Sequence, residues 1–463
     1  MLQRNLNGLT RIIAVVSTSV AILGACASPP DLSEIRASFD SPPDERPIRV
    51  SQSISESDFG VQVAQAVEEH PRLGASAANI RAAEARADGS GRAFLPRLSL
   101  GATVGTILGG SVSNSGINPV LRVLQLVYDG GESASRRVAA QARVFDARGA
   151  QQEVAAALAL DAVTAWHDLR AARARMRVSQ ANLDSHQTFL DQANERAEAG
   201  VGASADVLTA RARLSTARSR AAEARARVDS AEAAFAESFG HRAPTRLPPP
   251  SSAPELPHEP DSELVASSPR IRGVEARIKA AEAEVAIARA QRFPQLQAQG
   301  TGQRRSGGGT DGRVDLDLSY EPGAPGERAA AISAAEAELV VVQAERQMLE
   351  REIVRALADL RTDRRAGAAR LEAAREAVSA NEETVDAARE EFSIGRRTLI
   401  GLLDAQRDLF ESTETLIAAE RELALSGYGA LALTGDILDA FAISLPGVRQ
   451  HENGDDDSGE DVP

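Results

Sequence analysis

The sequence predicts a mainly α-helical fold made of two copies of one unit, in the order helix, strand, strand, very long helix, helix. A duplicated landmark supports this prediction, because His70-Pro71-Arg72-Leu73 is repeated as Ser268-Pro269-Arg270-Ile271. Each copy also contains a long stretch without proline, the residue that helix interiors exclude. Only 3% of the 463 residues are aromatic while 43% are hydrophobic, which favours close packing of Ala-rich helices over several large globular cores.

Residues 1–25 have the features of a secretory signal peptide. Arg4 and Arg11 precede the apolar stretch 12–23, which is shorter than the ~20 residues that a membrane-spanning helix needs. The run Leu23-Gly24-Ala25-Cys26 resembles the bacterial lipobox, which implies cleavage before Cys26 and a covalent lipid on its sulfur. The alternative is a small buried cysteine. The two residues after Cys26 include no aspartate, which by analogy with lipoprotein sorting implies the outer membrane.

The first copy is predicted over residues 58–240, after a lipidated extended segment at 26–57. A helix is predicted over 58–92, because Pro96 cannot lie in a helix interior. Two strands, at about 95–128, flank a turn rich in Gly, Ser and Asn.

A long helix from Glu132 to Ala197 carries a heptad seam, which predicts packing along a neighbouring helix. The seam residues are Leu158, Ala162, Ala165, Leu169, Ala172, Met176, Leu183 and Leu190. In the second copy they are Leu349, Ile353, Ala356, Leu360, Gly367, Leu371, Ala374, Val378, Val385, Ala388 and Phe392. Such long helices with Ala-rich seams predict an oligomer.

A Pro-rich connector at 241–261 joins the copies and is expected to be semi-rigid and extended. The second copy is predicted over 262–438, with strands at about 293–321. A tail at 439–463 is expected to be disordered, because residues 452–461 contain six acids and no base.

The strands alternate between apolar and polar residues. Val314, Leu316 and Leu318 alternate with Asp315 and Asp317. This pattern is typical of a soluble sheet with one face on a core, and equally of a membrane barrel strand between lipid and lumen. Four strands cannot close a water-filled barrel, so the membrane interpretation requires strands from several chains.

In its element order and turns the chain resembles the TolC-like outer-membrane efflux proteins, over about residues 58 to 438. The resemblance rests on Tyr128-Asp129-Gly130-Gly131 before the first long helix and on two helix-helix turns. These turns begin Ala199-Gly200-Val201-Gly202-Ala203-Ser204 and Ile394-Gly395-Arg396-Arg397-Thr398.

The resemblance implies a homotrimer with a trimeric α-helical tunnel and one shared twelve-stranded β-barrel in the outer membrane of a Gram-negative bacterium. It implies a passive exit duct of a tripartite efflux or type I secretion system. The partners would be outer-membrane lipid, a periplasmic adaptor (membrane fusion protein) and an inner-membrane pump of the RND or ABC class. No cofactor is implied besides the lipid on Cys26.

The resemblance also implies roles for residues at the turns, which form the periplasmic tip in this family. Asp404 stands at the narrow entrance, and Asp206 and Arg397 at gate-holding polar contacts. Three Asp404 carboxylates around a pore would favour cations. The alternative for both acids is a helix N-terminal residue favoured by the helix dipole.

The residues of the adaptor-docking tip are Gly200, Val201, Gly202, Ser204, Gly395, Arg396 and Thr398. Two positions depart from the family pattern: Gly401, where some relatives have a second aspartate, and Phe392, where some have a tyrosine.

Other classes of function fit less well. A net charge of -14 argues against a nucleic-acid binder, and one cysteine excludes a cysteine-based zinc site. Nothing in the sequence pairs a nucleophile with a base, so no enzyme is predicted. The remaining alternative is a periplasmic coiled-coil scaffold, or an adaptor-like lipoprotein without a pore.

Overall fold

The computed structural model describes residues 29–40, 54–105, 116–200, 202–252, 261–304 and 310–446. The predicted signal peptide, Cys26, Val201 and the acidic residues 452–461 lie outside this part of the chain. Within it, helices and one four-stranded sheet confirm the predicted fold class.

The described elements follow the predicted duplicated order. The chain begins with α1 (Ser33–Asp40), and the first copy consists of α2 (Asp58–Glu68), α3 (Pro71–Ser90), β1 (Arg97–Gly105), β2 (Gly116–Tyr128), α4 (Glu132–Glu198) and α5 (Ser204–Phe239). The second copy consists of α6 (Asp261–Ser267), α7 (Pro269–Ala290), β3 (Gln295–Arg304), β4 (Thr310–Ser319), α8 (Glu327–Ser393) and α9 (Leu399–Thr434), followed by α10 (Ile437–Ala440). Both long helices have 67 residues and both returning helices have 36. Of the helices described, none is both long and apolar enough to cross a membrane.

The helix predicted at 58–92 is two helices. The chain leaves α2 at Glu68, and α3 begins at Pro71. Proline is favoured at the first position of a helix, where its missing N–H would have no partner within the helix. Pro269 begins α7 in the same way, so the break belongs to the repeated unit.

The four strands form one antiparallel sheet in the order β1-β2-β3-β4. Directly paired residues lie on the same face of a sheet. The register therefore gathers one largely apolar face, which contains Leu98, Leu100, Leu121, Val123, Leu296, Val314, Leu316 and Leu318. The other face is largely polar and contains Ser99, Arg122, Gln297, Gln299, Thr301, Asp315 and Asp317.

The apolar face of the sheet is exposed in the single chain. Leu100 is 82% exposed, Val314 85% and Leu316 71%. A soluble sheet with one face on a core would bury these side chains. The pattern therefore favours lipid contact over the soluble-sheet alternative.

The chain divides into two compact units. One contains the sheet and comprises the residues up to Ser41, Asn79–Gly149 and Arg272–Met348. The other comprises Pro42–Ala78, Ala150–Ile271 and the residues from Leu349 onward.

In the sheet-containing unit, α1 corrects the prediction of an extended segment at 26–57. Leu32, Ile35 and Phe39 are spaced by three and four residues, which gives α1 and its entry one apolar side. Leu32 packs with Ala142 and Ala280, and Phe39 packs with Phe145, their ring centroids 5.5 Å apart. Tertiary packing therefore stabilises a helix too short to be stable alone.

The core of the second unit is centred on Trp166 of α4. Its fully buried indole lies 5.1 Å from the ring of Phe59 and 5.8 Å from those of Phe235 and Phe239, measured between ring centroids. Few aromatic residues suffice for this protein because several of them are concentrated in this one cluster.

The tail predicted at 439–463 begins too early. Phe441 is 1% exposed and lies 5.7 Å from the Phe59 ring, and Ile443 is also buried in the same core. Gln151 Nε2 donates a hydrogen bond to the carbonyl oxygen of Pro446, at 3.0 Å. The folded part therefore extends at least to Pro446.

The buried stripe of α4 follows the predicted seam as far as Ala172 and then departs from it. Leu183 and Leu190 are half-buried, whereas Ser179, Asn182 and His186 are buried. Ser179 and His186 occupy the two heptad steps that contain no apolar residue. The seam is therefore polar inside between Ser179 and His186.

Candidate functional site

Each of the two helix-helix turns contains a glycine in the left-handed backbone conformation. Gly200 has φ 72° and Gly395 has φ 75°, the left-handed region that glycine enters at little cost. The N–H of Gly395 donates to the carbonyl of Phe392 at 3.1 Å, and that of Arg396 to Glu391 at 2.8 Å. This pair of bonds is a Schellman motif, which ends α8 sharply.

The first turn adds a second constrained glycine. The N–H of Gly202 donates to the carbonyl of Arg196 at 2.9 Å. A Cβ on Gly202 would lie 2.9 Å from the backbone nitrogen of Ala197, so this turn admits glycine alone without rearrangement. Ser204 is the exposed first residue of α5.

At the second turn, Thr398 is the N-cap of α9. Its Oγ1 accepts a hydrogen bond from the N–H of Gly401 at 3.3 Å. This contact satisfies one of the free N–H groups at the start of the helix. Thr398 therefore has a structural role in addition to the docking role predicted for it.

Beneath both turns lies a small hydrophobic cluster that brings the ends of α4, α5, α8 and α9 together. Its buried members include Phe189, Ala193, Ala210, Val385, Phe392, Leu399, Leu402 and Leu403. The two turns predicted from the repeat are thus held in one place.

Arg196 fastens one turn to the other and was not predicted. Its Nη1 donates to the carbonyl oxygen of Phe392 at 3.2 Å, and its guanidinium lies 4.9 Å from the centroid of the Phe392 ring. Phe392 thus receives a cation-π contact from the helix that precedes the other turn. A basic residue in the last turn of a helix was the available signal.

Asp404 is held between two arginines. Its Oδ1 lies 3.6 Å from Arg213 Nη2 of α5 and 3.3 Å from Arg407 Nη1 one turn further along α9. A hydrogen bond from Arg407 to Asp408, together with the charges of Asp408 and Asp404, raises the pKa of Arg407. Asp404 therefore joins α5 to α9 through Arg213.

The structure does not bring the three predicted gate residues into one network. Arg397 Nη1 lies 3.3 Å from Glu391 Oε2, so its ion pair stays within the second turn. Asp206 lies half-buried in the first turn of α5, where the helix dipole favours an acid. Of the three predicted residues, Asp404 has the contact that links two helices.

Further along α9 from the turn than Asp404, other arginines form ion pairs between helices, and the sequence did not predict them. Arg220 Nη2 lies 3.9 Å from Glu411 Oε1, and Arg175 Nε lies 3.2 Å from Glu414 Oε2. Arg213 and Arg220 are seven residues apart, as are Asp404 and Glu411. This heptad spacing in both helices was the signal in the sequence.

His186 lies in the polar part of the α4 seam, beside these charges. Burial, with the charges of Arg213 and Arg220, lowers its pKa. Its Nδ1 and the Oδ1 of Asn182 are buried without a hydrogen-bond partner among the described residues. Buried polar groups of this kind weaken a helix seam.

Among the residues that the structure describes, no cluster of three or more His, Cys, Asp or Glu side chains is arranged to hold a metal ion. The site thus consists of glycine-dependent turns, an apolar cluster and ion pairs between helices.

Both copies of the repeat match known proteins. The outer membrane efflux protein family matches residues 63–241 and 262–428, which are the two copies of the repeat. The chain is 24% identical over 325 residues to the outer membrane efflux protein BepC of Brucella suis biovar 1 (strain 1330), covering 68% of this chain and 71% of BepC.

Solved structures show the same fold. VceC, an outer membrane protein of Vibrio cholerae, superposes with a TM-score of 0.72 at 18% identity, over 85% of this chain and 98% of VceC. The CmeC outer membrane channel of Campylobacter jejuni superposes with a TM-score of 0.74 at 13% identity, over 84% of this chain and 89% of CmeC. With both halves of the repeat matched by the family, the chain belongs to the outer membrane efflux proteins and is an outer-membrane channel.

Proposed function

We propose that this channel is a homotrimeric exit duct, which conducts cargo passively from a periplasmic adaptor and an inner-membrane RND or ABC pump to the exterior. The observation that carries the proposal is the sheet with one exposed apolar face and one polar face. Its edge strands are β1 and β4, and each pairs with a single neighbour within the described chain. Three chains would supply twelve strands, enough to enclose a polar lumen.

The scaffold alternative is disfavoured by the same face of the sheet. A scaffold in the periplasm would expose Leu100, Val314 and Leu316 to water. Contact with lipid removes this cost, since those side chains then lie in hydrocarbon.

The position of α1 supports a lipid on Cys26. Leu32 packs near Val138 and Ala142, and Val138 lies six residues into α4, about 9 Å from its start at ~1.5 Å per residue. The six residues from Cys26 to Leu32 span up to about 20 Å when extended. A lipid on Cys26 therefore has the reach to enter a bilayer around the sheet.

For the periplasmic tip, we propose that the apolar side chains around the turns dock the adaptor. Leu208, Ile394 and Ile400 are exposed there. The turn residues Gly200, Val201, Gly202, Ser204, Gly395, Arg396 and Thr398 complete this surface. The constrained glycines keep the turns short and leave room for a partner's backbone.

We assign the gate to the contact between Asp404 and Arg213, with Asp206 and Arg397 nearby in the turns. The two arginines beside Asp404 offset much of the charge that three carboxylates would present to a pore. The contact therefore acts first as a mechanical link that holds α9 against α5, and only second as a selector of cations.

Planar-bilayer recording of the purified protein tests this function. We expect stepwise conductance, and a larger conductance for Asp404→Ala because the link to α5 is lost. Asp408→Ala is the matched control, since its ion pair lies within α9. The absence of conductance from every variant would contradict the channel, and equal conductance of both variants would contradict the gate alone.

A further inference from the structure

Helix α5 has two rows of arginines, one on each flank of its buried face. That face follows three- and four-residue steps and includes Ala210, Leu214, Ala217, Ala221 and Ala224. Arg213 and Arg220 lie on one flank and form the ion pairs with α9 described above. Arg211, Arg218 and Arg225 lie on the other flank and are exposed. Charged residues on such flanks pair between helices and determine which helices associate.

The second row of arginines has no partner on another helix of its own chain. Among the described residues, Arg211 and Arg218 form no ion pair. Arg225 lies 3.9 Å from Asp229, one turn further along α5, and both side chains are largely exposed. This row is therefore free to pair with another chain.

Helix α8 has a matching row of acids. Glu376, Glu383 and Glu390 are seven residues apart and exposed, and their carboxylates form no ion pair within the described part of the chain. The buried residues of the same stretch, such as Ala374 and Val385, lie on another side of α8. Three unpaired acids thus have the spacing of the three arginines.

Beside each charged row lies a row of small exposed residues, which we call the second seam of its helix. In α5 the second seam consists of Ala212, Ser215, Ser219, Ala222 and Ala226, and in α8 of Ala373, Ala377, Ala380, Thr384 and Ala387. Both alternate three- and four-residue steps, the spacing of a contact between two helices. Small residues at this spacing allow another helix to approach closely.

The two second seams match in their distance from the turns. Helix α5 leads away from its turn and α8 leads toward its own, and both ends contribute to the apolar cluster beneath the turns. Ser219 lies 15 residues after the start of α5, and Ala380 lies 13 residues before the end of α8. The other members differ by the same two residues, about 3 Å at ~1.5 Å per residue. Side chains lean toward the N-terminus of their helix, so those of antiparallel helices lean toward each other and reduce this difference.

The charged rows also lie on flanks that would meet. Arg211 and Arg218 each stand directly before a member of the second seam of α5, and Glu376 and Glu383 stand directly before members of that of α8. Two antiparallel helices are related by a twofold rotation, which brings equivalent flanks of their seams together. The basic flank of one helix then meets the acidic flank of the other.

The order of the sheet independently brings α8 of one chain to α5 of the next. Strands β1 and β4 are its edges, so a barrel made from several chains pairs β4 of one chain with β1 of its neighbour. Helix α8 follows β4, whereas α2 and α3 precede β1. Phe59 of α2 and Phe235 of α5 share the core around Trp166. In such a ring, α8 therefore lies next to α2 and α5 of the neighbouring chain.

We propose that α5 and α8 of adjacent copies of this chain pack through their second seams, with one ion pair per heptad. Outward from the turns, the pairs are Arg211 with Glu390, Arg218 with Glu383 and Arg225 with Glu376. The inference rests on the homotrimer of the proposed function and adds the surface by which one copy recognises the next.

Disulfide formation between copies tests the contact. Ala222 and Ala377 are corresponding members of the two second seams, so Ala222→Cys with Ala377→Cys should give covalent dimers and trimers when membranes are oxidised. The control is Ala222→Cys with Ser379→Cys, because Ser379 is exposed at a similar distance from the turn but lies about 160° from Ala377 around α8. We expect about fivefold more covalent product from the first pair in denaturing electrophoresis, since a disulfide requires Cβ atoms about 4 Å apart. Equal yields would overturn the contact.

Charge reversal tests the ion pairs. Arg211→Glu with Arg218→Glu places acids opposite acids at every interface and should lower the amount of trimer in semi-native electrophoresis about fivefold. Adding Glu383→Arg with Glu390→Arg to the same chain should restore the trimer, because each pair is then formed with its charges exchanged.

A matched control separates pairing from a change in net charge. Glu382→Arg with Asp386→Arg reverses two exposed acids on the side of α8 away from its second seam, and should not restore the trimer. Restoration by both acid variants or by neither would overturn the ion pairs. A wild-type protein that forms no trimer would contradict the proposed function itself, whereas a trimer without the disulfide would contradict this contact alone.

Discussion

At the scale of single residues, alanine substitutions of two glycines near the turns are expected to have opposite effects on stability. A Cβ on Gly202 would meet the backbone of Arg196 and Ala197 at 2.9 to 3.0 Å, and backbone cannot move aside cheaply. A Cβ on Gly401 would meet the side chain of Arg397 at 3.1 Å, which can rotate away.

We therefore expect Gly202→Ala to destabilise the tip by about 2 kcal/mol, as overpacking does. Gly401→Ala should be neutral or stabilising by up to ~1 kcal/mol, because alanine favours the helix. Thermal unfolding with hydrogen exchange of the tip peptides measures both. Equal destabilisation by the two changes would show that the space around Gly202 is not limiting.

We expect the buried side chain of His167 to make the stability of the folded protein depend on pH. Burial, aided by the charges of Arg170 and Arg421 and opposed by Asp168, lowers the pKa of His167 to about 4. The unfolded chain protonates this histidine near pH 6.5, while the folded chain stays neutral until about pH 4. Above pH 6.5 the imidazole is neutral in both states, and its burial has no cost from protonation. As the pH falls from 6.5 to 4, the unfolded chain is protonated first, so the folded state loses stability.

The loss attributable to His167 is up to about 3 kcal/mol, since one pKa unit corresponds to ~1.4 kcal/mol. The thermal midpoint should fall more steeply over this range with His167 than with His167→Gln. His241→Gln, at an exposed position, is the control and should retain the wild-type slope.

The sequence predicts these residues unequally. Gly200 and Gly395 could be found because left-handed turns depend on glycine, and the repeat aligns them. The partners of Asp404 were not found, because 52 basic residues are distributed along the chain; the shared heptad spacing narrows the choice, and the register between α5 and α9 selects Arg213. Long-range pairing is set by packing, which short motifs do not encode.

At the scale of elements, the gate that we propose at Asp404 implies that one of its two arginine partners controls opening. Arg213 belongs to α5 and links two helices, whereas Arg407 belongs to the same helix as Asp404. An exposed pair contributes ~0.2–1 kcal/mol, and three copies in a trimer would act together.

We expect Arg213→Gln to raise the open probability several-fold in single-channel recording, and Arg407→Gln to change it little. Adding Asp404→Asn to Arg213→Gln should then have no further effect on opening, because the link is already broken. A larger effect of Arg407→Gln would place the latch within α9 instead.

The elements themselves were predictable where one periodicity dominates. The heptad seam predicted the long helices. In α4 the predicted seam is wrong beyond Ala172, because Ser179, Asn182 and His186 are polar and buried there. The break at His70 was missed because a proline at the start of a helix resembles one that ends it. The short helix α1 was missed because its stability comes from packing against Ala142 and Ala276.

At the scale of the whole molecule, the sheet determines how the chain meets a membrane. Period-two alternation in the sequence gave the two faces of each strand. It could not decide between water and lipid, because both place one apolar face away from a polar one. The register of four strands decides it, because it joins those faces into one apolar surface that the chain leaves exposed.

Two neighbouring residues of β4 test this orientation. Leu316 pairs with Ala298 on the apolar face, and Asp317 pairs with Gln297 on the polar face. Arginine on the lipid side of a barrel costs about 2–4 kcal/mol near the middle of the bilayer, whereas a residue on the lumen side stays in water.

We expect Leu316→Arg to lower the amount of trimer in the outer membrane, measured by semi-native electrophoresis of membrane fractions. Asp317→Arg should assemble normally and shift ion selectivity toward anions in bilayer recording. If Asp317→Arg blocked assembly while Leu316→Arg did not, the faces would be reversed, and the apolar side of the sheet would line a closed core instead of meeting lipid.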